Sequence, residues 1–409
     1  MDFVLLLIFA LLPFSIEKKV HGVWVTSTDI LILAAIVFWV YLAIRRRVSL
    51  KDLRFPLIVP IAMLMAIYTF SIFVAVDPIL SLSKVIKLCL LFVFFYLVVN
   101  NISEKKYLLW LIYVITASVT LLSMYFLLDT FRMTSTVATD MLLRTRMWER
   151  HIFSAMHLNL LGMILVVTIP ICLFCLFYLK SLSAKILIIF ALLIQSIALA
   201  LTYSRGNWIA LAIILVILFT IKYKAAGTVV SVELISLPFL IMIIFFTKID
   251  MSGRLFSMFD SQEGSYLSRW EHVKMGFSLF KMKPLTGVGI GNFQLAVKKY
   301  FGANVTEIVH NLFLQCAVDA GIFCALVMLF LLIKYFFDAR SILQRIKDDN
   351  VLNETALFCI LSFGGLIISA QFGDPFTRYI KEYFALLLAL PYAIKRIYIL
   401  ESVKQKNIT

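Results

Sequence analysis

Six residues between positions 203 and 311 have side chains suited to a phosphorylated substrate: Tyr203, Arg205, Arg269, Lys274, His310 and Asn311. Arg205 stands in ALTYSRGNWIALAIILVI (200–217), a run that is otherwise almost entirely apolar. A guanidinium in hydrocarbon costs at least ~2.5–3.5 kcal/mol. Either the chain leaves the membrane at that point or an anion meets the charge, and T-Y-S-R-G-N-W reads as both. It is a hairpin at the membrane boundary, with Tyr203 and Trp208 in an aromatic belt and Gly206 giving the tight turn. Arginine forks hold phosphate by paired hydrogen bonds; the plainer alternative is that Arg205 snorkels to lipid headgroups. Arg269 and Lys274 belong to a basic stretch with Lys248, Arg254, Lys281, Lys283, Lys298 and Lys299, and Arg132, Arg144, Arg146 and Arg150 form another. His310, in TEIVHNLFLQCAVDAGIF, follows that basic stretch directly, with Asn311 beside it. An imidazole exchanges protons near neutrality and suits a general base, although a histidine at an interface often serves structure alone. His151 and His157 are six apart and share no helix face, and His21 and His272 have no constellation around them.

The elements that must position these residues are membrane helices. The chain has 409 residues, 62% hydrophobic and 15% charged, with a mean hydropathy of +0.99. Soluble domains are about 45–50% apolar and about 25% charged, so the fold class is an all-α polytopic membrane protein. Apolar runs at 3–16, 27–44, 55–76, 84–99, 107–128, 152–179, 184–203, 206–222, 229–247, 309–337, 353–371 and 378–394 predict twelve spans. The organisation expected is spans one to nine over 1–247, a large outer segment at 248–308, and spans ten to twelve with a tail over 309–409. Short connections on one face carry 19 Lys/Arg against about 6 on the other, which orients both termini to the cytoplasm; Glu17-Lys18-Lys19 falls against that rule. In the outer segment Tyr266, Trp270, Val273, Phe277 and Phe280 mark the apolar stripe of an amphipathic helix lying along the membrane surface. Phe293, Val297, Tyr300 and Phe301 mark a second, and PLTGVGIGNF between them is a glycine-rich turn. Asp319 is read as the only acidic group well inside a span. All six cysteines lie in apolar runs, and Cys172-x-x-Cys175 reads as inert packing. The N-terminus lacks a basic leader region and a small-residue cleavage site, so it is expected to be retained. Nucleotide-binding loops, acidic metal clusters and G-x-S-x-G are missing, so no cofactor and no metal are expected, nor any nucleic acid partner.

Taken in order, S-R-G-N-W, S-R-W, K-P-L-T-G-V-G-I-G-N-F and H-N-L-F-L-Q...D-A-G-I resemble the O-antigen ligase and polymerase superfamily over roughly 190–335. The resemblance implies a glycosyltransferase of the bacterial inner membrane, working at the periplasmic face without metal or ATP. Its donor would be a glycan on undecaprenyl diphosphate and its acceptor a sugar hydroxyl of the lipid A core, among membrane lipids. It implies that Arg205 and Arg269 hold the diphosphate and that His310 activates the acceptor, with Tyr203, Lys274 and Asn311 at the rim. Asp319 departs from the family's frequent glutamate, keeping the charge with a shorter reach. An O-antigen polymerase joining lipid-linked repeat units is the alternative; a protein-glycosylating transferase and a transporter of the same lipid are further ones. The transporter would show matching broken helices and ionisable groups near mid-membrane.

Overall fold

The computed structural model describes residues 2–20, 23–45, 53–134, 158–222, 264–305, 308–376 and 380–406. Backbone amides in hydrocarbon must find partners within their own segment, and the apolar runs do so as helices. These are α1 (Asp2–Leu11), α2 (Ser27–Arg45), α3 (Ile58–Ser71), α4 (Pro78–Asn101), α5 (Lys105–Thr134), α6 (Leu158–Tyr178) and α7 (Leu182–Leu201). Then come α8 (Arg205–Lys222), α9 (Gly264–Met282), α10 (Phe293–Phe301), α11 (Leu312–Ala320), α12 (Ile322–Arg345), α13 (Asn350–Ser369) and α14 (Ile380–Lys406). Among the described residues nine are long and apolar enough to cross a membrane: α2, α4 to α8, and α12 to α14. Phe3–Phe14 and Ile58–Val74 are shorter apolar helices. The expected span at 229–247 lies outside the described residues.

Helix α6 is buried on all sides from Leu158 to Cys175 apart from the partly exposed Asn159, and it packs against α7 and α13. Cys172 and Cys175 are both buried there and unbridged, as the packing reading expects. Between α1 and α2 lies an antiparallel hairpin, β1 (Glu17–Val20) and β2 (Val23–Thr26), with Glu17 opposite Thr26. Thr26 and Asp29 start α2 as a reciprocal cap. The Thr26 amide donates to Asp29 Oδ2 at 3.0 Å, and the Asp29 amide donates to Thr26 Oγ1 at 3.1 Å. Helix α4 starts on Asp77, whose carboxylate accepts from the amides of Ile79 and Leu80, with Pro78 in the first turn.

Four expectations are corrected. The run 309–337 is not one span: the helix breaks at Gly321, with φ +85. In a continuous helix the Ile322 amide would donate to Val318; here it donates to Pro284 O at 2.8 Å, and Val318 O instead accepts the Val288 amide at 2.9 Å. Residues 284–289 thus replace the missing helical bonds, and a side chain at Gly321 would collide with the Leu285 carbonyl. Asp319 consequently precedes the spanning helix, while the acids held within spanning helices include Asp29 of α2 and Glu382 of α14, the latter fully buried. The hairpin before α8 turns at Tyr203, with φ 54, not at Gly206. Gly206 is helical and sits against Phe372, where a Cβ would come within 2.7 Å. Trp208 is buried inside the hairpin, donating from Nε1 to Leu199 O at 2.9 Å, and so does not lie in an aromatic belt. In α9, Trp270 and Phe277 of the apolar stripe are exposed, whereas His272, Gly276 and Leu279 face the protein. Gly276 lets the backbone approach Val309 closely, and that decides which face packs.

Candidate active site

Three segments far apart in sequence meet at the turn carrying His310. The turn itself is braced locally. Asn311 caps α11, its Oδ1 accepting the Leu314 amide at 3.0 Å, and Gln315 Oε1 accepts the Val309 amide at 3.1 Å. His310 is therefore held between two hydrogen-bonded residues in the turn that leads into α11.

The second segment is α9. Arg269, His272 and Gly276 are spaced i, i+3 and i+7, which puts them on one helix face. Gly276 meets Val309 and Leu314, and the His272 and His310 ring centroids are 6.3 Å apart, at an interplanar angle of 36°. The Phe293 ring closes the other side of His272 at 6.4 Å. Arg269 lies about one turn of helix, ~4.5 Å of rise, before His272. His272 thus has the constellation that its sequence neighbours do not reveal. Lys274 points elsewhere: its ammonium lies 5.6 Å from the Trp270 ring centre, and its side chain is exposed.

The third segment is the loop Ala370–Phe376, which sequence reasoning passed over. Ala370 O accepts the Leu312 amide at 3.1 Å, and Gln371 Oε1 accepts from Asn311 Nδ2 at 3.1 Å. The same loop presses Phe372 against Gly206, one residue beyond Arg205. It therefore links the Tyr203–Arg205 hairpin to the His310 turn. The hairpin is fixed on its other side by Asn207, which donates to Ser204 Oγ at 2.8 Å and to Asn159 O at 3.0 Å. Arg205, Arg269 and His310 each make further interactions within the protein.

Two carboxylates lie under this turn. Asp374, in the bridging loop, accepts the Phe376 amide at 2.8 Å. Loss of hydration holds its carboxyl above the usual carboxylate range, partly offset by Lys84 and the His310 imidazole. Asp319 accepts from Gln315 Nε2 at 2.9 Å and from the Gly291 amide at 3.2 Å. Its burial outweighs these bonds and pushes it up to about 7. The aliphatic stem of Lys84 lies across Gly291, with Cγ 3.0 Å from where a Cβ would stand. The glycine-rich turn is thus a brace: Asn292 donates to Ser81 Oγ at 2.7 Å and accepts the Asp77 amide at 2.7 Å, and the Val76 amide donates to Val288 O at 3.1 Å. Among the described residues no three histidine, cysteine, aspartate or glutamate side chains gather as metal ligands would. Cations from two helices, an imidazole pair and buried carboxylates around one turn can bind an anionic leaving group and accept a proton from a hydroxyl.

Residues 190–329 match a family model described as O-antigen ligase. That match supports the O-antigen ligase-like superfamily read from the motifs, and with it glycan transfer of the ligase or polymerase type in a multi-pass membrane protein. No curated protein matches the chain.

Proposed function

We propose that this O-antigen ligase-like chain transfers a glycan from undecaprenyl diphosphate to a sugar hydroxyl of the lipid A core at the periplasmic face of the inner membrane. The observation that carries the reading is the bridging loop, which ties the Arg205 hairpin to the His310 turn while α9 brings Arg269 and His272 to the same turn. In this reading Arg205 and Arg269 hold the donor diphosphate, with Tyr203 and Asn311 at the rim. His310 takes the proton of the acceptor hydroxyl while its oxygen bonds to the anomeric carbon. The bond from that carbon to the phosphate oxygen breaks, undecaprenyl diphosphate leaves, and the anomeric centre inverts. Fixed guanidinium groups stabilise charge developing on the leaving group without reorganising. Energy comes from the activated diphosphate, so ATP has no role. Lys274, on the opposite side of α9, takes no part in this scheme.

Purified protein with lipid-linked glycan, a metal chelator and no ATP tests the proposal through a panel of acceptors. Product on lipid A core supports the ligase; product on a second lipid-linked repeat would make it a polymerase, and product on a hydroxyl-bearing peptide a protein glycosyltransferase. Passage of donor across the bilayer with no product on any acceptor would replace transfer with transport. Arg205→Lys and Arg269→Lys keep the charge but lose the fork, so both are expected to impair transfer. His310→Ala is expected to lose about 10²–10⁴-fold in rate while still binding donor; wild-type turnover, or donor binding lost in step with turnover, removes the base role. For orientation, a cysteine at 262 in a cysteine-free background is expected to label from the periplasm and one at 348 is not.

A further inference from the structure

Helix α9 has a second face, opposite His272, on which Trp270, Lys274, Phe277 and Lys281 follow at i, i+4, i+7 and i+11. All four are exposed, and that spacing aligns them in one stripe along the helix. Each lysine lies over its aromatic neighbour, Lys274 Nζ at 5.6 Å from the Trp270 ring centre and Lys281 Nζ at 4.7 Å from that of Phe277. An alternating aromatic and lysine stripe open to solvent is costly in water and unsuited to hydrocarbon alone. It fits the boundary between them, where rings sit among headgroups and ammonium groups reach phosphate.

The depth of the helix in the fold supports that boundary. Just beyond the C-terminal end of α9, Pro284 O accepts the amide of Ile322, the first residue of a helix long enough to span the membrane. Met282 and Leu285 there are 52% and 62% exposed, and they continue into Phe323 and Leu326 on the outward side of α12, at 55% and 52%. The stripe therefore starts where the apolar belt of the bundle ends. Lys283 and Lys299 flank it, both within 5.6 Å of the Tyr300 ring centre.

We infer that the Trp270–Lys274–Phe277–Lys281 face of α9 is a docking surface for anionic phospholipid headgroups of the leaflet on its own side of the membrane. Its occupant is the bulk lipid, recognised by phosphate charge and ring insertion, and not the glycan donor. The helix would then be held from both sides, by the protein through Gly276 and Leu279 and by the bilayer through the stripe.

The test uses full-length protein in nanodiscs of phosphatidylcholine, with and without phosphatidylglycerol, carrying plain or brominated acyl chains. The share of Trp270 in the emission is the difference between the protein and its Trp270→Phe variant. Brominated chains are expected to quench that share, and aqueous iodide is not. A surface lysine contributes about 1 kcal/mol toward an anionic leaflet, roughly fivefold in a partition equilibrium. Reversing both charges, Lys274→Glu with Lys281→Glu, is therefore expected to remove most of the bromine quenching in phosphatidylglycerol discs and little in phosphatidylcholine. The milder pair Lys274→Gln with Lys281→Gln is expected to fall between. Iodide quenching without bromine quenching overturns the inference. So does an equal loss in both lipids, or protection that arises only when a phosphorylated acceptor glycolipid is added. The readout is fluorescence, so its failure is separate from any failure of glycan transfer.

Discussion

Asp319 shows how a single side chain is decided by its surroundings. Its Oδ1 accepts from Gln315 and from the Gly291 amide at 2.9 and 3.2 Å, distances that suit an aspartate where a longer glutamate would have to fold back. Burial raises its pKa to about 7 against an ordinary value near ~3.9. A carboxyl raised in the folded state contributes stability that is complete below pH ~3.9 and is lost as pH climbs through about 7. Asp319→Asn keeps the acceptor oxygen and removes the titration. In denaturant unfolding the variant is therefore expected to gain on wild type between pH 4 and 8, whereas Asp319→Ala is expected to lose about 1–3 kcal/mol by stranding the Gly291 amide and the Gln315 side chain. A wild-type to Asn difference that stays flat with pH contradicts the raised carboxyl. Residue type is visible in sequence, and Arg205, Arg269 and His310 stand out that way as candidates. His272 does not, because the ring beside it is His310, brought there only by the contact of Gly276 with Val309.

At the scale of elements, hydropathy is a strong signal because the bilayer leaves the backbone only one solution. The apolar runs 27–44, 107–128, 184–203, 206–222 and 353–371 accordingly appear as helices close to their expected ends, whereas the last helix runs on to Gln405. What periodicity cannot show is a helix whose broken bonds are restored from elsewhere. The run 309–337 reads as continuous, yet Pro284 and Val288 take over the bonds at Gly321, from a loop some thirty residues earlier. Periodicity likewise cannot show which side of α9 meets the protein: Trp270 and Phe277 stay exposed, and the glycine face packs. Gly206 tests how elements hold the site. A Cβ there would lie 2.7 Å from both Cβ and Cγ of Phe372, too near that residue's backbone for the ring simply to swing aside. Gly206→Ala is expected to push the 370–376 loop off α8, costing about 1–3 kcal/mol by overpacking and lowering glycan transfer although no charged residue changes. Phe372→Gly added to it, which removes both the Cβ and the Cγ of the clash, is expected to recover stability and turnover. If Gly206→Ala transfers normally, the loop does not align the Arg205 hairpin with His310.

On the scale of the whole molecule, a buried charge cluster joins the start of the chain to its end. Lys381 of α14 lies 2.7 Å from Asp29 Oδ1 of α2, Lys87 of α4 lies 3.3 Å from Asp29 Oδ2, and Glu382 Oε1 is 3.3 Å from Lys381. Lys381 is 5% exposed and Glu382 fully buried, so neither charge can be relieved by water. The sequence places these residues at the ends of three expected spans without indicating that the ends converge, since the partners are separated by 352 positions. The transport alternative looks for ionisable groups inside the membrane, and these qualify by type. Their arrangement is instead that of a brace, each acid matched by a lysine and three helices held at one level. Taking away one member of a buried ion pair typically costs about 3–5 kcal/mol, because the remaining charge stays desolvated, whereas removing all the charges together is often nearly neutral. Lys381→Met is thus expected to be the most destabilising single change in α14, lowering the unfolding midpoint far more than Lys334→Met, whose side chain on α12 is partly exposed. The neutral quadruple variant Lys381→Met, Lys87→Met, Asp29→Asn, Glu382→Gln is expected to recover most of that loss and to keep glycan transfer, as a brace would and a proton path would not. Unfolding and turnover measured on one preparation of each decide it. A quadruple variant as unstable as the single one would mean that packing, not charge compensation, joins the N-terminal helices to the last span.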